Sequence, residues 1–251
     1  MADHQQCLLA IRTRCHRRAF RAITPSLSMF ALAAVALLTT AAGCSSGPGV
    51  GGGPSSPPRP APEYVEVREY EGINLSSIEE FRENSIAGPQ QVDVDTYVLR
   101  IDGLVDEPTE LAYNDVTGSF ERYQKVVTLD CVEGWSVDIL WEGVRVTDLI
   151  DLAGSLPEAN TVIFHAVDGY TTSLPLDYLR DRRILLADTM NDVQLPPERG
   201  FPFQLVAEEK WGYKWIKWIE RIELSDDPTY RGYWEKRGYS NDGDRDKRSR
   251  E

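Results

Sequence analysis

A run of residues that contains little except glycine, serine and proline constrains this chain more than any other feature. It covers positions 45–62, and a segment of that composition cannot bury a hydrophobic core, which is typical of a flexible tether. The tether separates a leader, residues 1–43, from a body of about 180 residues, which is long enough for one well-buried domain. We therefore expect a leader at 1–43, a tether at 44–63, one folded domain at 64–240 and a charged tail at 241–251.

The leader has the pattern of an export signal. Residues 17–20, Arg-Arg-Ala-Phe, precede a mild apolar run at 29–42 that ends at Gly43-Cys44. That run is too short and too rich in alanine for a comfortable transmembrane span. Its end resembles a lipobox, in which the cysteine is lipidated, and the arginine pair resembles a twin-arginine signal. We predict a lipoprotein attached through Cys44 to the outer face of the cytoplasmic membrane, with an uncleaved anchor helix as the alternative.

The charge of the chain excludes one class of partner. Lysine and arginine number 27 against 40 aspartates and glutamates, and removal of residues 1–43 would leave a net charge of about −17. Such an acidic protein is repelled by nucleic acid, and a small anionic substrate would need a locally basic pocket. Cys7, Cys15 and Cys44 all belong to the leader or its end, so Cys131 has no partner for an internal disulfide.

Hydrophobic periodicity in the body predicts many short strands and few helices. Helices are predicted around 77–83, where Ser77 and Glu80 have the spacing of a capping box, and at 146–153 and 176–180. Strands are predicted at 96–102, 126–130, 139–143, 161–167, 184–187, 204–207 and 216–224. This pattern indicates an α+β domain on a mixed sheet. The chain has neither a Walker-type phosphate loop nor a dinucleotide fingerprint.

Cys131 lies at the end of a short β-type run, before a Glu-Gly-Trp turn. A buried cysteine is most often a packing residue. The functional alternative is a thiolate that binds a soft metal or acts as a nucleophile, which requires a partly open pocket. His165 is the only histidine outside the leader, so a Cys–His pair is conceivable, although a pocket-lining histidine is more common. Without a cluster of histidines and cysteines, a classical zinc site is excluded.

The segment 210–218 concentrates three lysines and three tryptophans in an acidic chain. The simpler interpretation is a solvated lysine face over core tryptophans. The functional interpretation is a cationic pocket for a phosphate or pyrophosphate, which the acidity of the rest of the chain favours. Two further segments are candidates for the site: the turn at 168–173, which is rich in hydroxyls, and the long loop at 190–204.

Taken together, these motifs resemble a known family. The sequence Thr-Leu-Asp-Cys-Val-Glu-Gly-Trp-Ser at 128–136 is similar to the molybdopterin-binding domain of the sulfite oxidase superfamily, and closest to the branch of the periplasmic methionine sulfoxide reductase catalytic subunit. Motifs at 195–202, 212–217 and 232–235 follow in the family's order, so the resemblance covers about residues 84–240. It implies the α+β fold of that superfamily, without its appended dimerisation domain, and a molybdenum–molybdopterin cofactor.

The resemblance also implies roles for individual residues. Cys131 would be the thiolate ligand of molybdenum, a soft ligand for a redox-active metal. Asn84 and Ser85 would contact the pterin. The phosphate end would be held by Arg199, Lys214, Lys217 and the backbone of Gly212 and Tyr213.

Two positions depart from the family's pattern. Arg199 occupies a place where relatives usually have asparagine or histidine, and Gln204 occupies one where they usually have arginine. We expect the pocket to keep one cation, moved five residues upstream. The loop after Cys131 also lacks the arginine of sulfite oxidases proper.

The expected reaction is therefore oxygen-atom transfer to or from a neutral substrate. We predict reduction of a sulfoxide or N-oxide, with Trp135 and Tyr170 as walls, His165 as proton donor and electrons from a membrane or periplasmic carrier. The cofactor is inserted in the cytoplasm, so a twin-arginine route, which exports folded proteins, agrees with it. The alternatives are sulfite oxidation, or a binding lipoprotein that keeps the fold without catalysis.

Overall fold

The computed structural model describes residues 65–251. The predicted leader, Cys44 and the tether therefore lie outside the described residues. Across residues 65–251, no helix is both long enough and apolar enough to cross a membrane.

The described part of the chain folds into short strands, three short α-helices and connecting loops. The strands are β1 (Glu69–Tyr70), β2 (Ile73–Asn74), β3 (Val98–Gly103), β4 (Thr109–Ala112), β5 (Tyr123–Asp130), β6 (Ser136–Arg145), β7 (Thr161–Ala166), β8 (Thr171–Pro175), β9 (Leu185–Met190), β10 (Val193–Gln194), β11 (Gln204–Val206) and β12 (Ile219–Ser225). The helices are α1 (Tyr113–Ser119), α2 (Val146–Ala153) and α3 (Leu176–Asp181), and 3-10 turns occupy Pro197–Arg199, Gly212–Lys214 and Glu235–Arg237.

Two five-stranded sheets form the body, beside the small β1–β2 ribbon. The first sheet has the order β10-β9-β6-β5, with β11 also paired to β9, and all of its pairs are antiparallel. The second has the order β4-β3-β12-β7-β8, in which β3 and β12 run parallel and the other pairs antiparallel. The α+β class is therefore confirmed, and the second sheet is mixed.

The clearest periodic signals in the sequence are reproduced in the structure. Tyr97, Leu99 and Ile101 are buried, as their alternation predicts, and they lie in or beside β3. Helix α2 has the predicted bounds, and its inner face joins a core to which both sheets contribute. It ends before Gly154, whose φ of +74° is a left-handed conformation that glycine adopts without strain.

The helix predicted around 77–83 is wrong. The capping contact forms, since the Ser77 amide donates to the Glu80 carboxylate at 3.3 Å, but the chain makes only a single turn. Glu66 explains the difference, because its carboxylate accepts hydrogen bonds from the Ser77 hydroxyl at 2.6 Å and the Ile78 amide at 2.9 Å. Contacts with a distant part of the chain replace the helix that the local pattern favours.

Other elements differ in their bounds. The strand predicted at 216–224 begins only at Ile219, because Trp218 has a φ of +53°, which is outside the β region. The strand predicted at 139–143 extends over all of β6, since β6 pairs with β5 on one side and β9 on the other. Strands β4 and β8 and helix α1 are absent from the sequence prediction, because each is short and lacks a clear apolar period.

Candidate active site

A cavity of about 430 Å³ opens beside the turn that joins β5 to β6. It is lined by that turn, by part of the 198–218 segment, by Asp168 and Tyr170, and by residues of the arm, which we define as residues 65–92. The cavity brings together most of the residues that the sequence predicts for the site: Asn84, Ser85, Cys131, Tyr170, Arg199, Gln204, Gly212, Tyr213 and Lys217. It does not include His165 or Lys214.

Cys131 is placed by the backbone of the β5–β6 turn. Its amide donates to the Trp135 carbonyl at 2.9 Å, and its carbonyl accepts from the Gly134 amide at 3.0 Å. The thiol is free and 8% exposed, and the side-chain amide of Asn84 lies 3.6 Å from the sulfur. Burial raises the pKa of the Cys131 thiol, and the nearby Glu133 carboxylate adds to this effect. A bound metal cation would reverse this preference, because it stabilises the thiolate.

A charged and aromatic cluster lies next to the thiol. The Glu133 carboxylate is 3.3 Å from the Arg82 guanidinium, and it accepts hydrogen bonds of 3.4 Å from the Asn84 amide and the Trp135 indole. The Phe81 and Trp135 rings pack with their centroids 5.6 Å apart. This side of the cavity therefore combines an aromatic wall with an ion pair whose two charges compensate each other.

Arg199 lies at another part of the cavity wall and is 8% exposed. Its guanidinium donates to the Ile78 carbonyl at 2.9 Å and the Phe81 carbonyl at 2.8 Å, and it stacks 3.7 Å from the Phe81 ring. Within residues 65–251 no carboxylate forms a salt bridge with it, and burial lowers the pKa of this arginine. The Glu198 and Glu83 carboxylates nearby oppose this effect but do not contact the guanidinium. A buried cation without a salt-bridge partner is costly, and an anionic ligand would compensate it.

Lys217 adds a second cation at this end. Its ammonium forms a 2.5 Å salt bridge with Glu83 of the arm and donates to the Glu198 carbonyl at 3.2 Å. Gln204 also lines the cavity, where it contributes a neutral amide. Between them, Gly200 has a φ of +103°, and a Cβ there would lie 3.0 Å from the Lys217 side chain. A side chain at this glycine would therefore displace the lysine.

The turn Gly212–Lys214 brings its backbone against the end of β5, which we call the cysteine strand because it leads directly into Cys131. Trp211 forms a parallel bridge with Asp130, and a Cβ on Gly212 would lie 3.3 Å from the Asp130 carbonyl oxygen. The Tyr170 hydroxyl donates to the Tyr213 carbonyl, and burial raises the pKa of Tyr170 well above its usual value. Tyr170 is therefore a neutral wall residue that also supports the turn.

The structure gives Lys214 a different place from the one predicted. Its side chain is fully buried, and its ammonium contacts the Glu235 carboxylate at 2.6 Å and the Ser173 carbonyl at 3.1 Å. Glu235 also accepts a 2.6 Å hydrogen bond from the Thr172 hydroxyl. Burial lowers the pKa of this lysine, against the effect of Glu235. Because Lys214 is fully buried and, unlike Lys217, does not line the cavity, it is removed from the phosphate-binding set.

His165 is also away from the cavity. It lies on β7 opposite Arg221 of β12, and its Nε2 is 2.8 Å from the Glu223 carboxylate and 3.3 Å from the Arg221 guanidinium. These contacts belong to the second sheet. The predicted role of His165 as proton donor therefore has no geometric support.

Several cavity residues were not singled out in the sequence. Phe81 and Arg82 come just before Asn84, in the segment predicted as helix, so that prediction concealed their position. Trp234 belongs to the closing Gly-Tyr-Trp-Glu motif, which could have identified it. Tyr239 has no such signal, because only the path of the chain after β12 brings it to the cavity. Among the described residues, no group of three or more His, Cys, Asp or Glu side chains could hold a metal.

Comparisons with known proteins agree on one family. Residues 86–234 match the sequence model described as "Oxidoreductase molybdopterin binding domain". The chain is 40% identical over 157 residues to the uncharacterized oxidoreductase YuiH of Bacillus subtilis, covering 62% of this chain and 78% of that protein. It is 32% identical over 147 residues to the protein-methionine-sulfoxide reductase catalytic subunit MsrP of Gluconobacter oxydans, covering 52% of this chain and 47% of the relative.

Two further matches extend the comparison. The chain is 30% identical over 152 residues to the putative protein-methionine-sulfoxide reductase subunit YedZ1 of Azospira oryzae, covering 60% of this chain and 57% of that one. Among solved structures, the sulfane dehydrogenase SoxCD of Paracoccus pantotrophus superposes with a TM-score of 0.53 at 24% identity, covering 56% of this chain and 41% of the other. The latter likeness shows a shared fold.

Proposed function

This chain belongs to the molybdopterin-binding oxidoreductase family and is an enzyme with a molybdenum–molybdopterin cofactor, and from that premise we propose that it reduces a neutral sulfoxide or N-oxide. The binding lipoprotein without catalysis is set aside, since the family and its oxidoreductase relatives support an enzyme. The substrate and the reaction direction rest on the charge and shape of the cavity.

The cavity residues fit the cofactor. Cys131 is a free thiol that reaches the cavity, and a thiolate suits a soft, redox-active metal. Arg199 is a buried cation without a carboxylate partner in the described part of the chain, which a phosphate would compensate. We therefore assign Cys131 to the metal, Asn84 and Ser85 to the pterin, and Arg199, Lys217 and the Gly212–Tyr213 backbone to the phosphate end.

Sulfoxide reduction breaks the S=O bond, takes up two electrons and two protons, and yields a sulfide and one water. The cofactor supplies the two-electron chemistry when it is bound. The protein must supply a pocket that admits the substrate and a source of protons. A membrane or periplasmic electron carrier supplies the electrons in this proposal.

The charge balance beside Cys131 is the observation that carries the choice of substrate. Glu133 and Arg82 form an ion pair at 3.3 Å, so this part of the cavity has no surplus positive charge. A sulfite dianion would need uncompensated cations there, whereas Arg199 and Lys217 are committed to the phosphate end and to the arm. The aromatic pair of Phe81 and Trp135 instead suits a neutral substrate with an apolar body.

Glu133 is the proposed proton relay in place of His165, taking each proton from solvent and passing it on rather than holding one at rest. It lines the cavity next to Cys131, and Asn84 contacts both its carboxylate and the Cys131 sulfur. The Glu133 side chain is 43% exposed, so it can exchange protons with solvent and deliver them into the cavity. Tyr170 is less suited, because its hydroxyl is bound to the Tyr213 carbonyl.

Two of the relatives support the sulfoxide substrate by their names: MsrP is a protein-methionine-sulfoxide reductase catalytic subunit, and YedZ1 is named a putative protein-methionine-sulfoxide reductase subunit. The chain spans about half the length of both relatives. The identity of the natural substrate and that of the electron carrier are therefore parts of the proposal.

Kinetic measurements on the molybdenum-loaded protein test the proposed reduction of a sulfoxide or N-oxide. With a reduced viologen dye as donor, a dialkyl sulfoxide and an aliphatic N-oxide should be reduced, and sulfite should not be oxidised with an artificial acceptor. Glu133→Gln should lower kcat by about 100-fold with little change in KM, as expected for a lost proton relay. The His165→Gln variant, outside the cavity, is the matched control and should keep wild-type rates. Rapid sulfite oxidation would overturn the substrate choice and leave the cofactor assignment intact.

We also propose that the enzyme is exported and anchored through a lipid on Cys44, supported by the leader and tether composition. Mass spectrometry of the purified membrane form should find a chain that starts at diacylated Cys44. Cys44→Ala should release or mislocalise the protein, and Arg17→Lys with Arg18→Lys should block export. An intact, unlipidated segment 1–43 in the mature protein would contradict the anchor.

A further inference from the structure

We infer that residues 239–251, which we call the strap, hold the Gly212–Lys214 turn against the cysteine strand and so control how tightly the enzyme retains its cofactor. The strap follows the segment matched by the family, residues 86–234. The sequence predicts a charged tail over 241–251, and in the structure this segment lies against the body.

The strap is a closed loop. Tyr239 forms an antiparallel bridge with Arg250, and the Ser240 amide donates to the Ser249 carbonyl at 3.0 Å. The Glu251 carboxylate pairs with Arg231 at 2.5 Å, which fixes the end of the loop to the chain that precedes it. Compact loops whose ends meet in this way hold their own shape on a protein surface.

The tip of the strap binds the residues just before the cofactor-facing turn. The Trp211 amide donates to the Gly243 carbonyl at 2.8 Å, and the Arg245 amide donates to the Glu209 carbonyl at 2.9 Å. Between these bonds, Asp244 forms a salt bridge with Lys210, whose side chain is 9% exposed. Backbone and charge contacts therefore alternate along the tip.

The strap also reaches the cysteine strand. The Arg245 guanidinium pairs with Asp130 at 2.6 Å, and Asp130 immediately precedes Cys131. Arg245 therefore connects the two segments that the Asp130–Trp211 bridge brings together. From the other end of the loop, the Ser240 carbonyl accepts a 2.8 Å hydrogen bond from the Tyr213 hydroxyl.

These contacts place the turn between the strap and Cys131. On one side, Gly212 packs against Asp130 and Cys131; on the other, Gly243 approaches the Lys214 side chain so closely that a Cβ would lie 2.6 Å from its Cγ. Tyr239 of the strap itself lines the cavity. If the strap opens, the backbone of the turn loses its support and the cavity loses one wall residue.

The ion pairs of the strap include exposed groups such as Arg245, which is 49% exposed, and exposed pairs are individually weak. Segments of this kind open locally at lower cost than the core. Because binding and closure are linked, a strap that favours the bound cofactor must itself be stabilised by that cofactor. This reciprocity gives a test that needs no substitution.

Hydrogen exchange on the wild-type full chain, with cofactor and without it, measures the coupling. The Trp211 and Arg245 amides should exchange at least about 5-fold more slowly in the loaded enzyme than in the cofactor-free enzyme. The Asp106 amide, bonded to the Gly154 carbonyl away from the cavity, should change little and is the internal control. Equal exchange of the strap amides in the two forms would overturn the inference.

A variant tests the same point from the protein side. The variant Asp244→Asn with Arg245→Ala is loaded with cofactor and then dialysed. It should lose molybdenum at least about 5-fold faster than the wild-type enzyme. Arg248→Ala removes a nearby exposed arginine and should lose molybdenum at the wild-type rate. Asp244→Asn combined with Arg245→Lys, which keeps the positive charge, should recover part of the retention. The Arg245→Ala single variant breaks only a partly exposed ion pair, so its cofactor-free melting temperature should stay close to wild type, and faster molybdenum loss from it separates loosened cofactor binding from general destabilisation.

Two outcomes contradict the strap's role. One is a double variant that retains molybdenum as Arg248→Ala does. The other is a faster loss that a fall in the melting temperature of the cofactor-free protein fully accounts for. Neither outcome concerns the substrate, so failure here is distinguishable from failure of the sulfoxide proposal.

Discussion

Two walls of the cavity are held in place by different kinds of contact. The wall that carries Cys131 is built from paired backbone, since β5, β6 and the Asp130–Trp211 bridge fix its path. The wall formed by arm residues 81–88 contains neither helix nor strand. It is held by side chains, because Arg199 binds the Ile78 and Phe81 carbonyls and Lys217 pairs with Glu83.

This difference connects cofactor binding to the position of the arm. A backbone network keeps the thiol in place whatever the neighbouring side chains are, whereas the arm depends on a few long side chains. Those same cations, Arg199 and Lys217, are the ones proposed for the phosphate end of the cofactor. We therefore expect substitutions on the cysteine wall to affect chemistry or folding, and substitutions at the arm to affect cofactor binding.

The largest effect is expected at the thiol. Cys131→Ser should reduce turnover to background, because a hydroxyl is a poor ligand for a soft metal. The domain should still fold, with a loss in free energy of unfolding of about 1–2 kcal/mol or less. Activity assays together with chemical denaturation check both statements. Near-normal turnover by the serine variant would show that the cysteine is not the metal ligand.

The second effect is on folding, from the buried pair behind the turn. Glu235→Ala would leave the Lys214 ammonium buried without its carboxylate, which should lower the free energy of unfolding by about 3–5 kcal/mol. Replacing both residues, by Lys214→Met with Glu235→Leu, should cost less than the single change. Denaturation of the cofactor-free protein measures this, with the exposed Arg182→Ala as control, for which about 0–1 kcal/mol is expected. A single variant as stable as this control would contradict the buried pair.

The third effect separates the arm from the cysteine wall. Arg199→Met removes a cation and both of its bonds to the arm, so cofactor affinity should fall by about 10–100-fold. Arg199→Lys keeps the charge but not the fork of donors, and should recover only part of that affinity. Molybdenum content at graded cofactor concentrations measures the change, with the exposed Arg100→Met as control. An unchanged affinity would place the phosphate elsewhere in the cavity.

The smallest effect concerns the acid dependence of the arm. Burial would raise the pKa of Glu66, but hydrogen bonds from Ser77, Ile78 and Asn191 outweigh it and lower the pKa below its ordinary 4.5. Stability from this group is therefore fully present above pH 4.5 and is lost as the pH falls through the lowered pKa.

The Glu66→Gln variant checks this. It should be less stable than wild type at pH 7, by about 1–3 kcal/mol for bonds to a charged group, and the difference should shrink in acid. Unfolding curves between neutral and acidic pH give this difference directly. A gap that stays constant with pH would show that the ionised carboxylate does not hold the arm.

An element of this structure could be predicted from the sequence when the residues that determine it are neighbours in the chain. Helix α2 was predicted with its correct bounds, because its apolar spacing and Gly154 lie within the helix and at its end. The cysteine turn was also located, since the chemistry of its residues is contiguous in the chain. The helix predicted at 77–83 failed where a local capping pattern competed with Glu66, more than ten positions away.

The sequence by itself determined that one thiol, a set of cations and an α+β domain would occur together, and its motifs identified the family. Only the tertiary structure decided which lysine is available to a ligand. Lys214 and Lys217 lie three positions apart in one run, and spacing cannot tell which side of a turn each side chain takes. The Glu235 carboxylate, 21 residues further along, binds Lys214 in the protein interior, while Lys217 stays at the cavity. A buried charge needs a partner, and folding alone brings that partner to it.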